Sequence, residues 1–146
     1  MATTVHLGIR DALAGLLQAS PALAGGRVHE NRELVLAPGV ESGIWVSRRQ
    51  TLPTRRTVAG TMDWETELEV GIRARKGASA TAEAIADDLC ASVYGRVMAN
   101  TGLSGAAMDT LPGPIVWDQE EGAELVVTCT LTFTVQHRST DASITA

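Results

Sequence analysis

A strict alternation near the C-terminal end constrains this chain more than any other feature. Leu125, Val127, Cys129, Leu131, Phe133 and Val135 take every second position, and Val126, Thr128, Thr130, Thr132, Thr134 and Gln136 fill the places between. Successive side chains of a strand point to opposite faces, so one set lines one face of a sheet and the second set the other. Residues 63–75 repeat the pattern. Trp64, Thr66, Leu68, Val70, Ile72 and Ala74 point one way, and Glu65, Glu67, Glu69, Arg73 and Arg75 the other. A helix would scatter these residues around its circumference; one apolar and one charged face describe a half-buried, antiparallel strand. Glu120-Glu121-Gly122 reads as a turn, which makes 113–119 and 123–137 an antiparallel hairpin.

Two segments carry the other period. Val5, Ile9, Leu13, Leu16 and Leu17 share one face of a helix over residues 4–19, stopped by Ser20-Pro21 and Gly25-Gly26. Ile85, Leu89, Val93 and Val97 repeat every four residues in a second helix over 80–99. Ser79 or Thr81 can cap it, Glu83 suits its first turn, and Asn100-Thr101-Gly102 suits its end.

The remaining segments are less regular. Val28 and Leu34-Val35-Leu36 each offer a short strand, with Pro38-Gly39 turning the chain. Residues 43–49 read as a strand with Ile44, Val46 and Arg48 on one side and Trp45, Ser47 and Arg49 on the other, without showing which side is buried. Residues 101–114, rich in Gly, Ala and Pro, read as a loop, and 139–146 as a small, polar, flexible tail. Helix, strands, helix, hairpin is the order of an α+β fold. The expectation is a single domain over 1–146, a two-layer sandwich with a mainly antiparallel sheet covered on one face by two helices.

Bulk properties narrow the function classes. With 146 residues, 45% hydrophobic and 20% charged, the chain has the size and composition of one globular domain. Aromatic content of 3% means a core built from Val, Leu, Ile and Ala. The net charge of −5 opposes coating nucleic acid with the whole surface. No apolar run is long enough to span a membrane, and the first residues have no signal-peptide pattern. Cys90 and Cys129 stand in no metal-like spacing and read as two buried, reduced thiols.

The sequence holds no recognisable catalytic motif. There is no Gly-x-Ser-x-Gly turn, phosphate loop or dinucleotide fingerprint. His6, His29 and His137 are widely separated and form no helical ligand pair, so no metal site is expected. No cofactor and no catalytic activity is expected either. Glu65, Glu67 and Glu69 stand about 7 Å apart along one strand face. They read as a solvated face or a charged subunit interface, and Asp118, Glu120, Glu121 and Glu124 as exposed turn residues.

Two surface features remain. Arg48, Arg49, Arg55 and Arg56 surround Thr51-Leu52-Pro53-Thr54, four of twelve basic residues in an acidic chain. They read either as a solvated loop or as a basic loop that meets an acidic partner or a nucleic-acid backbone. Thr128, Thr130, Thr132 and Thr134 form a row that either faces solvent or, at a sheet edge, invites strand addition from another subunit.

Several stretches together resemble the tail terminator (tail completion) proteins of long-tailed bacteriophages. They are Ile9-Arg10-Asp11-Ala12-Leu13, Gly43-Ile44-Trp45-Val46, Trp64-Glu65-Thr66-Glu67-Leu68-Glu69-Val70, Ala84-Ile85-Ala86-Asp87-Asp88-Leu89 and Leu131-Thr132-Phe133-Thr134-Val135-Gln136-His137-Arg138. The resemblance spans most of the chain and rests on architecture, not on a signature motif. It implies a structural virion protein of the tail and neck, assembled in the host cytoplasm. Such a protein forms a homo-oligomeric, hexameric ring that caps the tail tube and offers a surface to the head–tail connector. The Arg segment would then meet the tube or face the DNA channel. A connector or stopper protein is the nearer alternative, and a small-molecule-binding α+β domain the more distant one.

Overall fold

The structure, a computed structural model, describes residues 2–30 and 36–145. Its elements in chain order are α1 (Val5–Gln18), β1 (Val28–His29), β2 (Ser42–Arg56), β3 (Thr61–Arg75), α2 (Ala82–Met98), β4 (Asp109–Glu121) and β5 (Leu125–Thr140). The five strands form one sheet in the order β1-β2-β3-β5-β4. Only the short β1–β2 pairing is parallel; the other three are antiparallel. The expected α+β two-layer sandwich is therefore the observed fold.

The two strictly alternating segments are the centre of the sheet. β3 pairs with β5 from Thr61↔Thr140 to Arg75↔Val126 without a register break. A period of two fixes register wherever one face is buried, because a slip of one residue would turn every apolar side chain outward. Both helices cover the face that carries Leu68, Val70, Ile72, Cys129, Leu131, Phe133 and Val135, all at most 1% exposed. Ile9, Leu13 and Leu17 of α1 and Leu89, Val93 and Val97 of α2 close over it as one cluster.

Each helix opens on a threonine cap, at Thr81 as expected for the second and at Thr4, which the sequence reading did not name, for the first. Thr4 Oγ1 accepts from Leu7 N at 3.2 Å, and Thr81 Oγ1 from Ala84 N at 3.2 Å, satisfying donors that a first turn leaves open. The end of α1 is closed from a distance. Arg96 of α2 donates through Nη1 to the carbonyls of Leu16, Leu17 and Ala19 at 3.4, 3.3 and 3.0 Å, and through Nη2 to Pro21 O at 2.6 Å. A guanidinium thus takes up carbonyls at the negative end of the helix, where a cation is favoured.

Several expectations need correction. The Arg-rich loop is not a loop: β2 continues through it to Arg56 and forms a long hairpin with β3, turned at residues 57–60. Pro53 is tolerated because, from Gln50 onward, the outer side of β2 pairs with no strand among the described residues. β4 begins at Asp109, inside the segment read as a loop, and absorbs Pro112-Gly113-Pro114 in a register shift before Ile115. The Thr-bearing strand β5 lies between β3 and β4 rather than at an edge. Ser139 and Thr140 belong to β5, and Ile144 O accepts from Val5 N at 2.8 Å, so part of the expected tail has fixed partners. Of the candidate strand Leu34-Val35-Leu36, Leu34 and Val35 lie outside the described residues and Leu36 is in no strand.

Candidate functional site: the open sheet face and the sheet edges

The face of the sheet away from the helices gathers both rows singled out in the sequence. Glu67 is the register partner of Thr134, Glu69 of Thr132, Gly71 of Thr130 and Arg73 of Thr128. Glu65 stands beside Gln136 on the same face, with the Gln136 amide donating to its carboxylate at 3.5 Å. The Thr row is half-buried, which fits a β-branched row on a central strand and not an exposed edge.

This face is closed locally by a single apolar fit. Trp45 lies over Gly71, and a Cβ on Gly71 would fall inside the indole ring. Glycine is required there because another chain segment's side chain occupies the space of its own. Trp45 is 7% exposed although no helix covers it. Glu69, 5% exposed, accepts from Arg49 Nη1 at 3.0 Å, while Glu67 accepts from Gln50 Nε2 at 3.1 Å.

The four arginines do not form one patch. Arg49 turns onto the open face toward Glu69, and Arg48 acts on His6 near the start of α1. Arg56 pairs with Asp141 at 3.0 Å. Arg55 stands opposite Asp63, but Asp63 is taken by Arg138 at 2.6 and 3.3 Å. The hydrogen bond from Arg138 holds the Asp63 carboxyl below the ordinary carboxylate range. Arg55 itself is exposed and closes no ion pair among the described residues.

The opposite edge has a different character. β4 is exposed along most of its length, with Leu111, Ile115, Val116 and Trp117 all more than two-fifths exposed. Its hairpin acids are only partly free: Arg73 pairs with Glu120 at 3.0 Å and Arg75 with Glu124 at 3.1 Å. Between β4 and the start of α2 runs a surface groove of about 450 Å³ lined by Thr81, Glu83, Ala84, Asp87 and Trp117.

Sequence reasoning also missed a buried polar cluster at the far end of the helix-covered face. His6 stands edge-on to Trp64 at 4.9 Å and to His137 at 5.1 Å between ring centroids. His137 Nε2 shares a 2.7 Å hydrogen bond with Thr66 Oγ1, which meets Thr51 Oγ1 at 3.0 Å. Trp64 Nε1 donates to Ser139 Oγ at 2.9 Å. The Nδ1 atoms of both histidines are buried without a hydrogen-bond partner. Burial, and secondarily the neighbouring His6, pushes His137 down to about 4; burial and Arg48 lower His6. A signal was present, since His137 continues the buried odd-numbered row of β5 and His6 falls in phase with Ile9 and Leu13.

Cys90 and Cys129 are both buried and free. Burial, reinforced by the hydrogen bond that the Cys129 thiol donates to Cys90, pushes the Cys129 thiol up, so it is held as an unreactive thiol. Among the described residues no group of three or more His, Cys, Asp or Glu is placed to hold a metal ion, and no helix is long and apolar enough to cross a membrane.

The class that this geometry defines is an α+β two-layer sandwich whose second sheet face and two sheet edges are covered by none of the described residues. No family model and no curated protein matches the sequence. Among solved structures the chain is similar to one in "Virion of native gene transfer agent (GTA) particle". The TM-score is 0.58 at 14% sequence identity, over 90% of this chain and 95% of that chain. The likeness is one of fold and runs nearly end to end in both proteins.

Proposed function

We propose that this protein is a structural virion component of a phage-like particle, and specifically a tail terminator. In this role a ring of copies, six in the family resembled, closes the end of the tail tube and presents a docking surface to the head–tail connector. The observation that carries the reading is the end-to-end fold likeness to a chain of a gene transfer agent particle. The surface supports it. Exposed hydrophobic side chains are concentrated along β4 and at the end of the β2–β3 hairpin, where Leu52 and Val58 stand free. Apolar residues exposed along an edge strand are a liability that an assembly covers.

A ring needs no catalytic group. It needs two different surfaces per subunit that meet around an axis, and the sheet offers two unlike edges. The acidic row Glu65, Glu67 and Glu69 and the Thr row lie on the open face, and either a subunit neighbour or the channel covers them in this reading. The arginines at the end of β2 serve contacts to the tube, a neighbour or channel DNA.

Electron microscopy of the purified protein, alone and mixed with tail-tube protein, tests the proposal. Six-fold rings and tubes capped at one end are expected. Tubes of unchanged length with no cap would overturn the terminator role, and binding to connector protein alone would reassign the chain to another part of the neck.

A further inference from the structure

The groove between α2 and β4 contains an unusual combination. Glu83 and Asp87 sit one helical turn apart on the exposed side of α2, and both face the half-exposed indole of Trp117. Like charges four residues apart repel and cost helix stability. Neither carboxylate has an ion-pair partner among the described residues. Two carboxylates beside an aromatic face are the complement of a guanidinium, which pairs with carboxylate oxygens through its edge and stacks on indole through its plane.

One segment of the chain has that chemistry. From Gln50 to Gly60 the β2–β3 hairpin carries Arg55 and Arg56 and no acid. Its Leu52 is 50% exposed and its Val58 fully exposed. Asp63, the register partner of Arg55, is held by Arg138, so Arg55 acts on it only at longer range, closes no ion pair among the described residues and is exposed. Within one molecule the two surfaces cannot meet. Trp117 is level, across the sheet, with Cys129, Ile72 and Ile44, at the opposite end of β2 from Arg55 and at the opposite edge of the sheet. Eleven residues of strand separate these levels, roughly 35 Å.

We infer that the groove lined by Glu83, Asp87 and Trp117 receives the Arg55-bearing hairpin end of a second copy of this chain. Leu52 and Val58 of the incoming hairpin then cover Ile115, which stands beside Trp117 on the α2 side of β4. The contact is heterologous, groove to hairpin, so each copy has one of each left to offer, and repetition closes a ring or extends a filament. The inference deepens the ring reading above and relies on it for closure, while the matching of groove and hairpin stands on charge and shape.

Reciprocal charge reversal tests it in the full-length protein by sedimentation velocity. The wild type is expected to self-associate, and Arg55→Glu and the double variant Glu83→Arg/Asp87→Arg each to weaken association roughly ten- to hundredfold. Mixed in equal amounts, the two variants restore assembly, since each reversed hairpin then meets a reversed groove. Circular dichroism and melting temperature report whether each variant folds, and Glu83→Gln/Asp87→Asn replaces the double reversal if it does not. A wild type that stays monomeric at its highest soluble concentration overturns the inference. So do rings that form as readily from either reversal variant alone as from the wild type, though these leave the tail reading standing. Reciprocal rescue without any effect on tail tubes supports the contact and removes the tail role.

Discussion

The two faces of the sheet are specified by different means. On the helix-covered face, Leu68, Val70, Ile72, Leu131 and Phe133 are removed from water by apolar volume supplied by the chain's own helices. On the other face, among the described residues, Trp45 is the large apolar side chain that is buried, and it is held by the absence of a side chain at Gly71. Elsewhere that face carries rows of Glu, Thr and Arg whose partners are one another across strands. The first face tolerates little change anywhere, whereas the second concentrates its sensitivity at one point.

Truncation in the first face has the largest expected effect. Phe133→Ala removes a fully buried ring from the centre of β5 and is expected to cost about 3–5 kcal/mol by chemical denaturation. A loss under about 1 kcal/mol would mean that the helix layer is not packed against the sheet as described.

The far end of the same face is expected to respond to pH. His137 falls from its ordinary 6.5 to about 4 in the fold, so between those values the unfolded chain binds the proton more readily than the folded one. The part of the stability that depends on neutral His137 is fully present above about 6.5 and is lost as pH drops toward 4, by on the order of 3 kcal/mol in total. His6, lowered by burial and by Arg48, adds to the fall with the same sign. Urea midpoints between pH 7.5 and 4 check this. A His137→Gln variant should flatten the profile, and an unchanged slope would remove His137 as its cause.

On the open face a single added methyl group is enough to collide with the indole of Trp45. Gly71→Ala forces Trp45 off its seat and is expected to cost about 1–3 kcal/mol and to shift tryptophan fluorescence. Next to it, Thr132→Ala changes a half-buried polar row and is expected to cost no more than about 0.5 kcal/mol. Were Thr132→Ala as damaging as Phe133→Ala, the distinction between the faces would fail.

How much of this was legible in the sequence depended on how local each signal was. β3 and β5 were readable because their alternation persists over many residues and the buried face demands it. The helices were readable from their stripes and from Thr81 as a cap. β2 beyond Arg49 was not, because Pro53 and clustered Arg resemble a loop, and only the lack of an outer neighbour makes them acceptable in a strand. β4 was cut short for the same reason at Pro112-Gly113-Pro114. The placement of β5 between β3 and β4 depends on pairing across α2, which no local pattern reports. The His6–His137 contact joins the two ends of the chain and became visible only in the fold. Of the surface residues, the Glu and Thr rows were recovered as neighbours, while Arg48, Arg49, Arg55 and Arg56 were dispersed and Trp117 had not been singled out.

The bridge between Thr4 and Thr145, with Val5 N bonded to Ile144 O, puts the two ends of the chain side by side at the start of α1. A short linker can therefore join them, and the chain can be reopened at Gly122, an exposed turn between β4 and β5 where an added side chain meets nothing within 4 Å. Such a circular permutant keeps every strand pairing and moves both free ends to the β4 edge. Labels placed beside Thr4 and Thr145 mark one end of the sheet, and labels on the permutant's ends at Gly122 mark the other, so a matched pair of fusions provides a ruler for the orientation of this fold in any larger complex.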